Sequence, residues 1–358
     1  MKRTVKIGNS VPLSGEECVH GTAANHAVEL AVWQANQRGD LPFTLELVSL
    51  DDECTIEAGE SVAARFSADS GILGVVGPFN STPAQAAAPV FHSARLAHIC
   101  PAASNPDLSR QGWDTFFRVV ASDQVQGREA AKCAVHVVKA DRIAVLHDKS
   151  AFGQPLAEIF ASEAQNQGAE IVLFEGIDRG QTRFPETVQR VREAEPDLVY
   201  FGLIEAEGSA MAHELRAEDV MAPYLGADGL KPSRYLETPE VEAVGPYYTS
   251  ACADVRQRPT AVEFRQAYAA RFPKFADYTI YTAEAYDAAN ILIEALRQAE
   301  RLDREAVRER VARTTGFPGA SGPISFSPTG DRLDPVIDFY VVNQGVLTFL
   351  GTTADLMK

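Results

Sequence analysis

The segment that decides the fold is residues 72–106, ILGVVGPFNSTPAQAAAPVFHSARLAHICPAASNP. Its first five residues, ILGVV, form an apolar run typical of a strand buried on both faces, and Gly77-Pro78 ends that run. A second short strand is predicted at Ala97–Cys100, and a loop of small residues follows at 102–106. Because the carboxyl ends of neighbouring parallel strands lie at one edge of a sheet, we expect the two loops to meet there.

The residues between these strands predict a helix that starts near Ser81 and runs to about His92. Pro83 suits the first helical position, where its missing N–H costs nothing, with Thr82 or Ser81 as the N-cap. Ser81 then follows one strand and Ser104 follows the next. Two hydroxyl groups, unpaired backbone N–H groups and the positive end of a helix dipole suit a small carboxylate. The alternative, that both serines are only capping and turn residues, stays open at this point.

Length and charge narrow the class of protein. A chain of 358 residues can form two domains with separate cores, and a formal net charge of −16 argues against a nucleic-acid partner. No apolar run approaches the length of a membrane span. Met1–Thr4 leads directly into a strand without a secretory signal, which fits a cytosolic protein or a trimmed mature form with an added Met. The five cysteines have no CxxC spacing, so no zinc site is predicted.

Strand-like and helix-like segments alternate along the chain. Before the deciding segment, strands are predicted at Val5–Val11 and Phe43–Leu50, with a helix from Thr22 to Arg38 between them and a second helix that ends at Asp69. The later predicted strands are Phe116–Val120, Arg142–His147, Ala169–Phe174, Asp197–Gly202, Tyr224–Leu225, Val244–Ser250, Pro323–Phe326, Val336–Val342 and Val346–Leu350. The later predicted helices are Gln124–Lys139, Phe152–Gln167, Phe184–Ala194, Glu207–Ala217 and Thr282–Arg301. This alternation predicts an α/β protein with two doubly wound, Rossmann-like halves, and the lack of a Pro/Gly/Ser-rich linker predicts a hinge between them.

The sequence lacks the motifs of several common enzyme classes. It has no GxxxxGK(S/T), no GxGxxG between a strand and a helix, no GxSxG and no HExxH. The acidic run Asp51–Glu53 is interpreted as strand-end and helix-start chemistry rather than as a metal site. The sequence therefore predicts no enzymatic activity, no metal and no cofactor.

Several segments, in this order and spacing, carry a resemblance to a known family. They are Pro12–Gly15, Leu50–Cys54, Gly77–Gln85, Pro101–Ser104, Arg142–Asp148, Phe152-Gly153, Asp197–Tyr200, Tyr281–Asp287 and Gly322–Phe326. Over essentially its whole length the chain resembles the Leu/Ile/Val-binding proteins of branched-chain amino acid uptake systems, which have the type I periplasmic-binding fold. The resemblance implies two lobes joined by a three-segment hinge. Their bounds would be 1–120 plus 251–330 for the N-terminal lobe and 121–250 plus 331–358 for the C-terminal lobe.

The resemblance also implies a binding site for a small amino acid. By position, Ser81, Ser104 and the backbone at Ala102 would hold the ligand's α-carboxylate, and Asp228 would pair with its ammonium. The ligand side chain would be lined by His20, Phe79, Phe152, Ile204 and Tyr281.

Three of these positions depart from the family pattern. Asp228 is one methylene shorter than the usual glutamate, Ile204 replaces a common tyrosine, and His20 replaces an aromatic residue. We therefore expect an apolar amino acid, aliphatic or aromatic, and keep an aromatic carboxylate or amide as the alternative.

The partners implied by the resemblance are an amino acid and a membrane permease. The protein would be a periplasmic monomer that closes over its ligand and delivers it to an ABC importer, without nucleic acid. A ligand-sensing regulator on the same fold is a further alternative. The sequence shows neither an N-terminal helix-turn-helix nor a spanning helix, which counts against that alternative.

The resemblance also bears on the cysteines. The family's usual partner for the cysteine at Cys54 lies where this chain has Asn80, so that bridge cannot form. Cys18 follows the first strand and Cys54 follows the second, whereas Cys100 lies farther across the sheet. We therefore predict a disulfide between Cys18 and Cys54 in exported protein.

Overall fold

The structure is a computed structural model that describes residues 2–15, 17–230, 247–276, 280–343 and 346–358. Contacts divide the chain into two compact units. Unit 1 contains Met1–Ala121 and Cys252–Pro335, and unit 2 contains Ser122–Ala251 and Val336–Lys358. The chain therefore passes from one unit to the other three times.

The described residues form alternating strands and helices. The strands are β1 Arg3–Val11, β2 Phe43–Asp51, β3 Ile72–Val76, β4 His98–Cys100, β5 Phe116–Arg118, β6 Arg142–His147, β7 Glu170–Gly176, β8 Leu198–Gly202, β9 Tyr224–Gly226, β10 Tyr247–Ser250, β11 Phe317–Gly319, β12 Gly322–Ile324, β13 Asp338–Asn343 and β14 Val346–Thr352. The helices are α1 Cys18–Arg38, α2 Ile56–Ala68, α3 Ser81–Ser93, α4 Asp123–Cys133, α5 Gly153–Asn166, α6 Pro185–Ala194, α7 Glu205–Ala217, α8 Val262–Arg271, α9 Thr282–Gln298, α10 Arg304–Ala312 and α11 Thr353–Leu356. Within the described ranges, none of these helices is both long enough and apolar enough to cross a bilayer.

Unit 1 is built on a parallel five-stranded sheet with the order β2-β1-β3-β4-β5. Helices cover both faces. On one face Val75 packs with Phe66 of α2 and Phe91 of α3. On the other face Gly74 lets α9 approach so closely that a Cβ at this position would lie 2.3 Å from Leu292 Cδ1. This is the predicted doubly wound arrangement, in which apolar residues on both faces of a central strand are buried.

Unit 2 contains a seven-stranded mixed sheet with the order β14-β13-β10-β9-β8-β6-β7. Strands β6 to β10 run parallel, and β13 and β14 add antiparallel strands at one edge. Consecutive residues of β8 pack on opposite faces of this sheet. Tyr200 stacks on Phe160 of α5 with ring centroids 3.7 Å apart, and Phe201 stacks on Tyr224 at 5.0 Å.

Helix boundaries differ from the sequence-based predictions at several places. Helix α1 begins at Cys18 rather than Thr22, because the Gly21 N–H already bonds to the Glu17 carbonyl at 3.0 Å. Helix α3 has Asn80 as its N-cap, so Ser81 is its first residue.

The remaining differences concern segments without a strong periodic pattern. Helix α2 is capped by the Thr55 hydroxyl and not by the acidic run at 51–53. The predicted helix 124–139 is α4 followed by a π-helical turn at Ala134–Val138. Helices α8, α10 and α11 were not predicted. The part of the predicted strand Val244–Ser250 that precedes Tyr247 lies outside the described residues.

The predicted disulfide between Cys18 and Cys54 is wrong for this structure, which has no bond between the two thiols. Strands β1 and β2 are neighbours, as the prediction required, with Val11 opposite Asp51. Cys18, however, lies beyond a loop, as the first residue of α1. Strand pairing therefore does not determine where its sulfur lies.

Candidate functional site

Ser81 and the loop after β4 meet at the carboxyl edge of the unit 1 sheet. Ser81 follows β3 as the first residue of α3, and its side chain is buried. Its Oγ accepts a hydrogen bond of 3.2 Å from the backbone N–H of Asn105. The hydroxyl proton has no acceptor among the described residues. Ser81 therefore ties the loop to the helix start and can still donate a hydrogen bond.

Ser104 lies in the loop that leaves β4, next to Asn105. The residue is only 3% exposed, yet neither its backbone N–H nor its hydroxyl bonds to any residue in the described ranges. The N–H and the hydroxyl of Ser104 are therefore available to a ligand or to water. Ala102 in the same loop is half-buried. Ser81 and Ser104 thus offer donors at one place, as the sequence predicted.

Arg118, at the end of β5, holds this loop by hydrogen bonds to its backbone. The sequence analysis did not select this residue. Its side chain is fully buried. Nη1 donates to the carbonyls of Ala103 at 3.2 Å and Asn105 at 2.8 Å, and Nη2 donates to Ser109 Oγ at 3.0 Å. Nε pairs with Asp331 Oδ1 at 2.6 Å. The sequence did contain a signal for this role, namely an arginine within a predicted strand. A buried guanidinium needs several hydrogen-bond acceptors around it.

Aromatic residues form the other part of the candidate site in unit 1. The rings of Phe79 and Tyr281 are both buried and meet edge to face, with centroids 5.7 Å apart. Tyr281 has the left-handed backbone conformation, with φ of 54°, and caps α9. Its N–H donates to Cys252 Sγ at 3.0 Å. His20 is half-buried in the first turn of α1.

The unit 2 candidates also lie beyond the carboxyl ends of neighbouring strands. Phe152 follows β6, Ile204 follows β8 and Asp228 follows β9. A Cβ on Gly229 would lie 2.6 Å from Phe152 Cε1 and 2.9 Å from the Leu203 carbonyl oxygen. Phe152 therefore packs directly beside the turn that carries Asp228, and the glycine makes that approach possible.

Asp228 is buried and held by a side chain that the sequence analysis did not select. Gln126 Nε2 donates to Asp228 Oδ1 at 3.1 Å and lies 3.3 Å from the Thr249 carbonyl oxygen. Asp123, one turn earlier in α4, is a second fully buried carboxyl group. Burial, together with the charges of Asp123 and Asp228, raises the pKa of Tyr200. The signal that was missed is an aspartate in the first turn of a helix, because the predicted helix began at Gln124.

A second buried acidic cluster lies in unit 1 beside a segment where the chain enters the unit. Burial raises the pKa of Glu284 to about 7, and its Oε1 accepts from the Ala253 N–H at 2.8 Å. Burial likewise raises the pKa of Asp287 to about 6, despite backbone N–H donors from Ala320 and Ser321. Both carboxyl groups accept hydrogen bonds from backbone N–H groups, and their role is to hold the backbone in place.

The two units offer groups of opposite polarity. Unit 1 presents the hydroxyl groups and N–H groups around Ser81 and Ser104, which suit an anion. Unit 2 presents the buried carboxyl group of Asp228, which suits a cation. Within the described ranges, no three His, Cys, Asp or Glu side chains are grouped so that they could hold a metal ion.

Comparison with known proteins assigns the family. Residues 4–345 match the family model of the periplasmic binding proteins, and the chain belongs to this family. The curated Leu/Ile/Val-binding protein homolog 1 of Brucella abortus is 27% identical over 343 residues, which are 95% of this chain and 91% of that protein. The family consists of substrate-binding proteins of transport systems rather than enzymes.

Solved structures share the whole fold. The branched-chain amino acid transporter substrate binding protein LivJ of Streptococcus pneumoniae, in complex with isoleucine, has a TM-score of 0.84 at 21% identity and covers 98% of this chain and 100% of its own. A solute binding protein of an ABC transporter from R. palustris, in complex with benzoate, has a TM-score of 0.83 at 18% identity, with 98% and 96% coverage. These likenesses confirm the predicted type I periplasmic-binding fold.

Proposed function

We propose that the protein is the extracytoplasmic solute-binding component of an ABC importer and binds an apolar amino acid. The observation that carries this proposal is the match to periplasmic binding proteins along nearly the whole chain, with curated relatives described as Leu/Ile/Val-binding proteins. The proposed location is the periplasm, and the proposed partner is a membrane permease. Units 1 and 2 are proposed to be the two lobes.

In this proposal, unit 1 binds the ligand's α-carboxylate. The Ser81 hydroxyl, the Ser104 N–H and hydroxyl, and the backbone at Ala102 serve as donors. The start of α3 adds unpaired N–H groups and the positive end of its dipole. Hydrogen bonds to a charged acceptor are stronger than bonds between neutral groups, about 1.5 to 3 kcal/mol each.

Unit 2 supplies the counter-charge for the ammonium through Asp228. As the family resemblance implies, the ligand side chain would contact Phe79, Tyr281, Phe152 and Ile204, with His20 as a polar edge. Ile204 offers no hydroxyl group, so this position adds apolar surface rather than a hydrogen bond. An apolar side chain is therefore the best match.

A second candidate ligand is an aromatic carboxylate without an amine. The observations that favour it are the likeness to the benzoate-binding protein of R. palustris and the edge-to-face pair Phe79 and Tyr281. Such a ligand would use the donors of unit 1 and has no amine that could pair with Asp228. An amino acid would use both the donors of unit 1 and the carboxyl group of Asp228, which favours it as the first candidate.

A thermal-shift screen followed by calorimetry tests the proposal. The panel contains isoleucine, leucine, valine, phenylalanine, benzoate and 4-hydroxybenzoate. We expect an amino acid to stabilise the protein, by about 4 kcal/mol at a thousand times its Kd, and benzoate to have little effect. Stabilisation by benzoates alone would replace the first candidate with the second, and stabilisation by none of the six would contradict both.

The carboxylate site has its own test. Ser104→Ala removes one of several donors, so we expect a loss of affinity of about 1 to 3 kcal/mol. The matched control is Ser93→Ala at the exposed end of α3, where the hydroxyl bonds to the Pro89 carbonyl. Equal affinities of the two variants for the tightest ligand would argue against Ser104 as a ligand donor.

A further inference from the structure

The loop that carries Ala102 and Ser104 is pinned from two sides. From one side, Nη1 of Arg118 bonds to the carbonyls of Ala103 and Asn105, the two residues that flank Ser104. From the other side, the Asn105 N–H bonds to Ser81 Oγ. The polar backbone groups on both sides of Ser104 are therefore held while Ser104 itself has no partner within the described ranges.

Peptide geometry links Arg118 to the direction of the Ser104 N–H. The carbonyl of Ala103 and the N–H of Ser104 belong to the same planar trans peptide group, in which the two bonds point in opposite directions. A hydrogen bond of 3.2 Å from Arg118 to that carbonyl therefore turns the Ser104 N–H away from the guanidinium. The Ser104 N–H is thus fixed in direction without a bond to any described residue.

We propose that Arg118 is a positioning residue for recognition of the ligand carboxylate: its guanidinium sets the orientation of the peptide group that presents the Ser104 N–H. This inference rests on the proposed function and names the group that prepares the site for an anion. The charge of Arg118 is paired with Asp331 at 2.6 Å, so the role assigned here is orientation rather than attraction at a distance. A lysine cannot replace it, because an ammonium lacks the planar fork that serves acceptors in several directions at once.

The same unit contains a matched control, Arg304. Its guanidinium is partly buried, whereas that of Arg118 is fully buried, and it likewise donates to backbone carbonyls, with Nε 3.1 Å from the Ile72 oxygen and Nη2 2.8 Å from the Asp69 oxygen. Ile72 begins β3, whereas Ser81 follows its end, so Arg304 supports the opposite edge of the sheet. Arg118 and Arg304 thus share their chemistry and differ in position.

The experiment compares Arg118→Lys and Arg304→Lys by calorimetry with two probes, the tightest-binding amino acid of the panel and its carboxamide. We expect Arg118→Lys to weaken the amino acid about 10- to 100-fold and the carboxamide less than about threefold, because the amide lacks the charge that the oriented N–H recognises. Arg304→Lys should change neither affinity beyond about threefold. Equal losses for both probes in Arg118→Lys, or no loss at all, would overturn the inference.

A milder variant keeps the inference testable if Arg118→Lys does not fold. Ser109→Ala removes the acceptor of Nη2 and leaves the guanidinium in place. We expect a loss of about 3- to 10-fold for the amino acid alone, and an unchanged affinity would count against the inference. A wild-type protein that binds no member of the panel contradicts the proposed function. If the wild type binds an amino acid and Arg118→Lys and Ser109→Ala bind it equally well, only the role of Arg118 is contradicted.

Discussion

Gln126 Nε2 donates a hydrogen bond of 3.1 Å to Oδ1 of Asp228, and both side chains are buried. The amide nitrogen also lies 3.3 Å from the Thr249 carbonyl oxygen in β10. Gln126 belongs to α4 and Asp228 follows β9, so two elements distant in sequence fix the orientation of this carboxyl group. In the proposed function this carboxyl group pairs with the ligand's ammonium.

Asp228→Asn should weaken binding of the tightest amino acid by about 2 to 5 kcal/mol, or roughly thirtyfold to several thousandfold. The substitution keeps the shape of the side chain and removes the charge that compensates the ammonium. The matched control is Asp197→Asn in the same unit, where the carboxyl group accepts from the Arg142 N–H at 3.1 Å just before β8. Calorimetry on both folded variants gives the answer. If Asp228→Asn binds as tightly as the wild type, the ligand has no amine at this place, and the aromatic carboxylate becomes the preferred ligand.

Glu284 should make the protein less stable as the pH rises. Its pKa is raised by burial from 4.5 to about 7 in the folded state. Between these two values the folded state keeps a proton that the unfolded state releases, so the free energy of unfolding falls as the pH increases. Below pH 4.5 the group is protonated in both states. Above pH 7 it is ionised in both states, so the cost of burying its charge no longer changes with pH. Glu284→Gln removes this penalty and keeps an oxygen for the Ala253 N–H, so relative to the wild type it should gain up to about 3 kcal/mol between pH 4.5 and pH 8.

Urea unfolding of the wild type and of Glu284→Gln without ligand, at pH 5 and pH 8, checks this dependence. The control is Glu309→Gln, whose side chain is exposed on α10. The difference between Glu309→Gln and the wild type should be the same at both pH values. A Glu284→Gln variant whose advantage over the wild type does not grow with pH would show that this carboxyl group is not protonated in the folded protein.

Gly77→Ala should be much more destabilising than Gly15→Ala, although both glycines have positive φ, 99° and 73°. At Gly15 an added Cβ meets no atom within 4 Å, so only backbone strain of about 1 to 2 kcal/mol is expected. At Gly77 it would lie 2.2 Å from the Ser10 carbonyl oxygen, which adds an overpacking cost of about 1 to 3 kcal/mol. Thermal or urea unfolding of the two variants measures the difference. Equal stabilities would mean that β1 and the turn after β3 can separate at little cost.

Tyr200→Phe should leave stability unchanged or raise it by up to about 1 kcal/mol, because the buried Tyr200 hydroxyl has no hydrogen-bond partner in the described ranges. Tyr224→Phe is the matched comparison in the same unit. Its hydroxyl donates to the Ala212 carbonyl at 3.1 Å, and its loss should cost about 0.5 to 1.5 kcal/mol. Urea unfolding separates the two cases. A loss of stability in Tyr200→Phe equal to that in Tyr224→Phe would reveal a partner for the Tyr200 hydroxyl.

Local patterns were sufficient for the layout of the sheets. The buried run 72–76 and the segment 142–147 form β3 and β6 with the predicted bounds, because an apolar run bordered by turn residues has few other ways to bury itself. The convergence of Ser81 and Ser104 followed from the same reasoning, since neighbouring parallel strands must end at one edge. The disulfide failed because it depended on where a loop places Cys18, which no strand determines.

The sequence by itself determined the alternation of strands and helices, the family resemblance and the residue types at the candidate site. Only the tertiary structure decided which buried groups hold the candidate site residues in place. These groups are Arg118, which bonds to the loop that carries Ser104, and Gln126, which bonds to Asp228. The physical reason is that periodicity reflects contacts along one element, whereas a buried guanidinium or amide is satisfied by acceptors from elements far apart in the chain. Such partners, like Asp331 for Arg118, become neighbours only when the whole chain has folded.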